Sequence, residues 1–168
     1  MRDQLVEHIP ALRRFAYGLA RDRSKADDLV QDCLTRALGS EHRFEPSTNL
    51  RAWLFTILRN LFLNRIRDER MRPVVSDAAL DWSTSQHTAP GTQFDTLLAR
   101  QVLTAIDTLA VEQREVLLLV AVEGLSYRET ADVIAMPIGT VMSRLSRARE
   151  QLRLQLEGSS RSQLRRIK

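Results

Sequence analysis

The chain has 168 residues, of which 43% are hydrophobic, and its 25 Lys and Arg against 21 Asp and Glu give a formal net charge of +4. This is enough apolar sequence to bury one or two cores, which excludes a disordered chain. One cysteine excludes an internal disulfide, and no apolar run approaches the roughly 20 residues that span a bilayer. We therefore expect a cytoplasmic protein with no signal peptide and no membrane insertion.

The segment 73–93 divides the sequence. It contains Pro, Gly, Ser and Thr without a clear period and reads as a flexible linker. On both sides apolar residues recur at helical spacing, and no alternating strand pattern is convincing. We predict an all-α protein of two small helical domains, residues 1–72 and 94–168.

The first domain is predicted to contain three helices. Apolar stripes mark the first over 9–19 and the second over 26–38, where Cys33 belongs to the stripe and should be a core residue. A loop over 41–48 follows, and a long helix is expected over about 49–70.

The second domain opens with an amphipathic stripe over 94–109. An almost continuously apolar helix, 111–122, should follow and end at Gly124. Ser126 and Glu129 then form a capping box, in which each side chain caps a free backbone amide at the start of a short helix.

The short helix is predicted to run through Ile134 and to break at Pro137, and the last helix should begin at Gly139 or Thr140. Two helices joined by a tight turn, the second of them basic, match a helix-turn-helix. Residues 139–168 carry eight basic and two acidic side chains, whereas the preceding 45 residues carry three and seven. This polarity favours nucleic-acid contact through the last helix and its basic tail, and a solvated charged surface is the alternative.

One face of the last helix combines hydroxyl and guanidinium groups, which suit hydrogen bonds to guanine edges and phosphates in the major groove. Basic residues that merely complement the helix dipole are the alternative, but that effect belongs to the C-terminal end, not to the start of the helix. Two side chains of the preceding helix are candidate phosphate contacts. The candidates are Thr140, Ser143, Arg144 and Arg147 on the last helix, with Tyr127 and Arg128 before it.

The long helix of the first domain presents amides and arginines, a combination that can hold exposed bases. Asn60, Asn64 and Arg67 recur at spacings of 4 and 3, beside Arg59 and Arg65. Trp53 is close by, and an aromatic on such an apolar stripe is more often a core residue than a stacking platform.

The second helix carries an acidic face opposite its apolar stripe, formed by Asp27, Asp28, Gln31 and Asp32. A favourable interaction with the helix dipole would explain acidic residues in a first turn without any partner. A docking surface is the alternative interpretation.

No catalytic, cofactor or metal site is expected. His8, His42 and His87 lie in separate elements, no Cys/His spacing suggests zinc, and no glycine-rich loop follows a strand. An enzyme is therefore a weak interpretation.

Three segments in this order resemble the extracytoplasmic-function group of bacterial sigma factors, and the match covers about 12–152. The segments are ADDLVQDCLTRAL at 26–38, FEPSTNLRAWLFTILRN at 44–60, and LAVEQREVLLLVAVEGLSYRETADVIAMPIGTVMSRLSRAREQL at 109–152.

This resemblance implies a promoter-specificity subunit of RNA polymerase. It implies that the acidic face, Asp27 to Asp32, docks on the clamp helices of the largest polymerase subunit. It also implies that the loop ending at Asn49, together with Arg59, Asn60, Asn64 and Arg67, opens and reads the −10 element. The face formed by Thr140, Ser143, Arg144 and Arg147 would read the −35 element.

The resemblance further implies control by an anti-sigma factor, with the protein a monomer when free or in a 1:1 complex with it. The segment TNLRAWLFTILRN looks similar to the subgroup serving general stress responses in alphaproteobacteria. The chain departs from the group at Leu38, often a tryptophan, at Ala110 and Val111, where prolines are common, and at Met142, a position that is often basic.

Two other classes compete with this interpretation. A two-domain transcription regulator would bind duplex DNA alone, usually as a dimer, but its first domain should offer a ligand pocket, a phosphoacceptor or a dimer interface. An anti-sigma or adaptor protein would not need the basic face of the last helix.

Overall fold

A computed structural model describes residues 2–45, 48–71 and 101–165, with side chains over 4–45, 48–71 and 101–158. All regular elements in these ranges are helical, which confirms the all-α prediction. The predicted linker, 73–93, lies outside the described residues, as does the first part of the stripe 94–109.

The first unit has the three predicted helices, α1 (Arg2–Ala20), α2 (Arg23–Gly39) and α3 (Leu50–Met71), with a single 3-10 turn at Glu41–Arg43. Helix α1 starts about two turns before the predicted stripe and contains Pro10. Helix α2 begins where the Asp22 side chain accepts a hydrogen bond from the Lys25 amide at 2.8 Å.

Aromatic and apolar side chains of these helices meet in one core. The rings of Phe15 and Phe55 are fully buried and pack edge to face, with centroids 5.1 Å apart. Cys33 is buried as predicted, and its thiol donates to the Leu54 carbonyl oxygen at 3.4 Å. Trp53 is half-buried against this core and packs on Phe44.

The second unit is described from helix α4 (101–107) onward. Its predicted apolar helix is present but not regular throughout, because α5 (Val111–Leu117) continues as a π turn over Leu118–Val122. Gly124, with φ of +69°, ends this segment. The left-handed backbone favours glycine, which has no Cβ to clash with the following carbonyl.

The helix-turn-helix consists of α6 (Tyr127–Ile134) and α7 (Ile138–Arg165). The predicted capping box of Ser126 and Glu129 is present at the start of α6, with both reciprocal bonds formed. Helix α7 begins at Ile138, slightly earlier than predicted, since the carbonyl of Pro137 already accepts from the Thr140 amide at 2.8 Å.

The two units pack directly on each other. One buried apolar cluster runs from the first unit into the second and includes both Phe15 and Leu118. At the contact Gly18 of α1 approaches Leu118 so closely that a Cβ at Gly18 would lie 2.6 Å from a Leu118 methyl group. Arg21 also pairs with Asp107 of α4 at 2.9 Å.

Candidate nucleic-acid interface

Helix α7 divides into a buried side and an exposed side. Val141, Leu145 and Ala148 are buried against the rest of the second unit. On the other side Ser143 and Arg147 are exposed, while Thr140 and Arg144 are half-buried, so all four predicted −35 residues share one surface.

Polar contacts hold parts of this surface in place. The Ser143 hydroxyl donates to the Thr140 carbonyl at 3.1 Å. Arg144 lies close enough to the buried Glu115 to stabilise its charge. Tyr127 and Arg128 are exposed at the start of α6, and Met142 is 53% exposed on the outer side of α7. The helix therefore offers an accessible row of guanidinium and hydroxyl groups near its start.

The amides predicted on the first unit are accessible on α3. Asn60, Asn64 and Arg67 are all exposed, and an Arg67 guanidinium nitrogen lies 3.5 Å from the Asn64 amide oxygen. These groups form a solvent-facing stripe over about two turns.

Two other predicted −10 residues are instead engaged by the second unit. The Asn49 amide donates to a Glu129 carboxylate oxygen at 2.6 Å. The Arg59 guanidinium forms an ion pair with Glu115. These two contacts could not be predicted from the sequence, because the partners are 80 and 56 positions away along the chain.

The acidic face of α2 is largely accessible. Asp28, Gln31 and Asp32 are exposed, and Asp27 is half-buried, with its carboxylate 3.4 Å from Arg13. Asp32 also pairs with Arg65 of α3. Because α2 begins at Arg23 and is capped by Asp22, these residues lie beyond the first turn, where the helix dipole no longer explains them.

Two buried carboxylates were missed by sequence reasoning. The side chain of Glu123 is fully buried, and that of Glu115 is 3% exposed. Burial raises the pKa of Glu115, and the Arg59 guanidinium opposes that shift. The only available signal was the presence of acidic residues at either end of an apolar run.

Neighbouring Arg114 is also buried, and its Nε and one Nη have no hydrogen-bond partner. Burial lowers the pKa of Arg114, with the nearby Arg21 charge acting in the same direction. Asp107 opposes this shift. The second unit therefore brings several buried charges to its contact with the first.

In the described part of the chain, no helix is long and apolar enough to cross a membrane. Among those same residues, His, Cys, Asp and Glu form no group that could hold a metal ion.

Two family models match the chain, Sigma-70 region 2 over residues 5–72 and Sigma-70 region 4 over residues 99–152. The ECF RNA polymerase sigma factor EcfG of Rhodopseudomonas palustris is 41% identical over 152 residues, covering 90% of this chain and 82% of that protein. The chain belongs to the ECF sigma factors. It is a sigma factor of promoter-specific transcription initiation, a class of non-enzymatic initiation factors.

Other relatives agree with this assignment. SigC of Mycobacterium tuberculosis is 38% identical over 135 residues, covering 78% of this sigma factor and 70% of that one. Among solved structures, the sigma factor RpoE in complex with the anti-sigma factor NepR from Bartonella quintana matches with a TM-score of 0.78 and 37% identity. That match covers 93% of this chain and 96% of the other. Family membership decides against the regulator and the adaptor considered above.

Proposed function

We propose that α7 is the helix that reads the −35 element. The observation that carries this is the accessible row of Thr140, Ser143, Arg144 and Arg147 at the start of the second helix of a helix-turn-helix, where base-reading side chains are found in this motif. Arginine suits bidentate contact with guanine, and the hydroxyls suit phosphates or bases. Tyr127 and Arg128, exposed at the start of α6, contact the flanking phosphates.

The first unit binds core polymerase and the −10 element. Its exposed acidic groups on α2, from Asp27 to Asp32, dock on the clamp helices of the largest polymerase subunit. The accessible Asn60, Asn64 and Arg67 on α3, with Asn49 and Arg59, hold bases of the opened strand. The two region matches support domain boundaries of 1–72 and 94–168 with a linker over 73–93.

The two DNA contacts are each small, and they gain strength only when polymerase holds them at promoter spacing. The free protein is therefore expected to bind promoter DNA weakly. We assign it to the cytoplasm, where polymerase and DNA are found.

An anti-sigma factor is the proposed regulator. The RpoE neighbour is bound to NepR, and the sigma factor CnrH, 28% identical with a TM-score of 0.66, is bound to the cytosolic domain of CnrY. We assign this chain a 1:1 complex with an anti-sigma factor and a monomeric free state. Its 41% identity to EcfG and the NepR-bound neighbour support the general-stress subgroup.

Transcription in vitro tests these roles. Purified protein is added to core RNA polymerase with a pool of genomic promoter fragments, and the transcripts are sequenced. Initiation is expected at sites that share two spaced elements. Arg147→Ala should abolish it, and so should Asp28→Ala combined with Asp32→Ala.

Arg153→Ala is the matched control for Arg147. It removes the same charge from α7, but Arg153 pairs with Glu150 and Glu157 away from the proposed reading row. It should therefore retain initiation. Absence of initiation together with tight binding of the free protein to duplex DNA would contradict the assignment.

A further inference from the structure

Two arginines of the first unit hold one carboxylate of the second. Arg14 of α1 donates to Glu123 through Nε at 3.1 Å and Nη2 at 2.9 Å, so the contact is bidentate. Arg51 of α3 donates to the same carboxylate at 2.7 Å. The Glu123 side chain is fully buried, whereas those of Arg14 and Arg51 are 53% and 33% exposed.

The backbone around Glu123 is built to place it there. The π turn before it is closed by the Glu123 amide, which donates to the Leu118 carbonyl at 2.9 Å. Gly124 then turns the chain away through its positive φ.

The neighbouring contacts involve the proposed −10 residues. Glu129 accepts from Asn49, and Glu115 pairs with Arg59. Three carboxylates of the second unit thus meet groups of the first unit that are suited to bind an anionic strand. Arg51 adjoins this set, since its backbone amide donates to the Asn49 side-chain oxygen at 3.0 Å.

We propose that Arg14 and Arg51 form a binding site for a backbone phosphate of single-stranded promoter DNA, and that Glu123 fills this site while the two units are packed together. The guanidinium fork matches carboxylate and phosphate with the same bidentate geometry. Glu123 therefore occupies the position that a phosphate oxygen pair takes. Neither arginine belongs to the site predicted from the sequence.

This proposal rests on the proposed −10 role of the first unit. It adds that the second unit competes with the DNA strand for the same arginines. Packing of the two units and binding of the strand are mutually exclusive, because both need the same two guanidinium groups. The acidic face on α2 stays accessible in the packed arrangement. Polymerase can therefore be engaged before the strand site opens.

The first measurement uses the full-length protein and a fluorescein-labelled oligo-dT 20-mer, since phosphate contacts do not depend on base sequence. Glu123→Gln keeps the shape of the side chain and removes its charge. Fluorescence anisotropy should show a gain in affinity of about tenfold, the value of one charge-assisted contact. Glu112→Gln is the control, because it makes the same charge change at an exposed position of α5.

The second measurement tests whether the gain in affinity for the 20-mer depends on the arginines. Adding Arg51→Ala to Glu123→Gln should remove it and reduce the slope of log affinity against log salt by about 0.7, the value for one phosphate of a single strand. Arg36→Ala in the same background removes an exposed arginine of α2 and should preserve most of the gain.

A third variant opens the contact without changing any charge. Gly18→Gln places a Cβ 2.6 Å from a methyl group of the buried Leu118 and adds a long polar side chain to the same contact, so the packing between the units is weakened. Glutamine favours the helical conformation of α1. This variant should also bind the 20-mer more tightly, again in a manner that depends on Arg51.

No gain in either opened variant, or a gain that survives Arg51→Ala, would overturn the phosphate site and leave Glu123 as a purely structural ion pair. Transcription with core polymerase separates this failure from that of the proposed function. If the wild type initiates at promoters while these binding predictions fail, only the phosphate site is wrong. If it does not initiate, the proposed function is wrong.

Discussion

Replacing Gly124 by alanine isolates the cost of a single backbone conformation. Gly124 has φ of +69°, and no atom lies within 4 Å of a Cβ built on it, so the methyl group meets no neighbour. The left-handed backbone costs an alanine about 1–2 kcal/mol. Alanine also lowers the conformational entropy of the unfolded chain, which offsets about 0.4–1 kcal/mol of this cost. The free energy of unfolding should fall by about 1 kcal/mol.

The matched control is Gly139→Ala in α7. A Cβ there also meets nothing within 4 Å, but Gly139 lies in a helix without a positive φ. The same substitution should therefore stabilise, by about 0.5–1 kcal/mol. Urea unfolding followed by far-UV circular dichroism measures both variants against the wild type. Equal signs for the two changes would refute the argument from backbone strain.

Three further outcomes are expected. Burial raises the pKa of Cys33 to about 12 from an ordinary 9.0, so at pH 8 alkylation by iodoacetamide should be about 1,000-fold slower in the native protein than in the unfolded one. Rapid labelling of the native thiol would contradict its burial. Phe55→Leu should lower the free energy of unfolding by about 2 kcal/mol, because it loses volume and the edge-to-face contact with Phe15. An unchanged urea midpoint would argue against that core. Hydrogen bonds from Ser126 lower the pKa of Glu129 in the folded protein. The ionised Glu129 carboxylate therefore stabilises the fold above about pH 4.5, and this stabilisation is lost as the pH falls through the lowered folded-state pKa. The difference in urea midpoint between the wild type and Glu129→Gln should therefore shrink on acidification, and a constant difference would exclude this cause.

The helices could largely be predicted from residue spacing. The stripe over 26–38 and the long helix over about 49–70 follow from apolar residues at intervals of three and four. The start of α6 follows from Ser126 and Glu129, since a capping box is a local device. These features are encoded within a few residues of the chain, and that is why the sequence is sufficient for them.

The contact between the two units could not be predicted in the same way. Periodicity tells which face of a helix is buried, but it does not say against what. Glu123 and Arg14 are 109 positions apart, and nothing in the local pattern of either residue indicates the other. The π turn escaped prediction as well, because the apolar run 111–122 fits a regular helix equally well.

Helix α7 is continuous over its 28 residues, so it is about 42 Å long. Its start carries the row proposed to read DNA, and its far end extends beyond the region 4 match, which closes at residue 152. Because each residue advances the helix by about 100°, the number of residues between the two ends sets the angle between the side chains that they present. A one-residue insertion after Ala148 would leave the reading row unmoved but rotate everything beyond it by about a quarter turn. The length of this helix thus fixes the direction in which its own C-terminal end faces relative to the groove that α7 is proposed to enter.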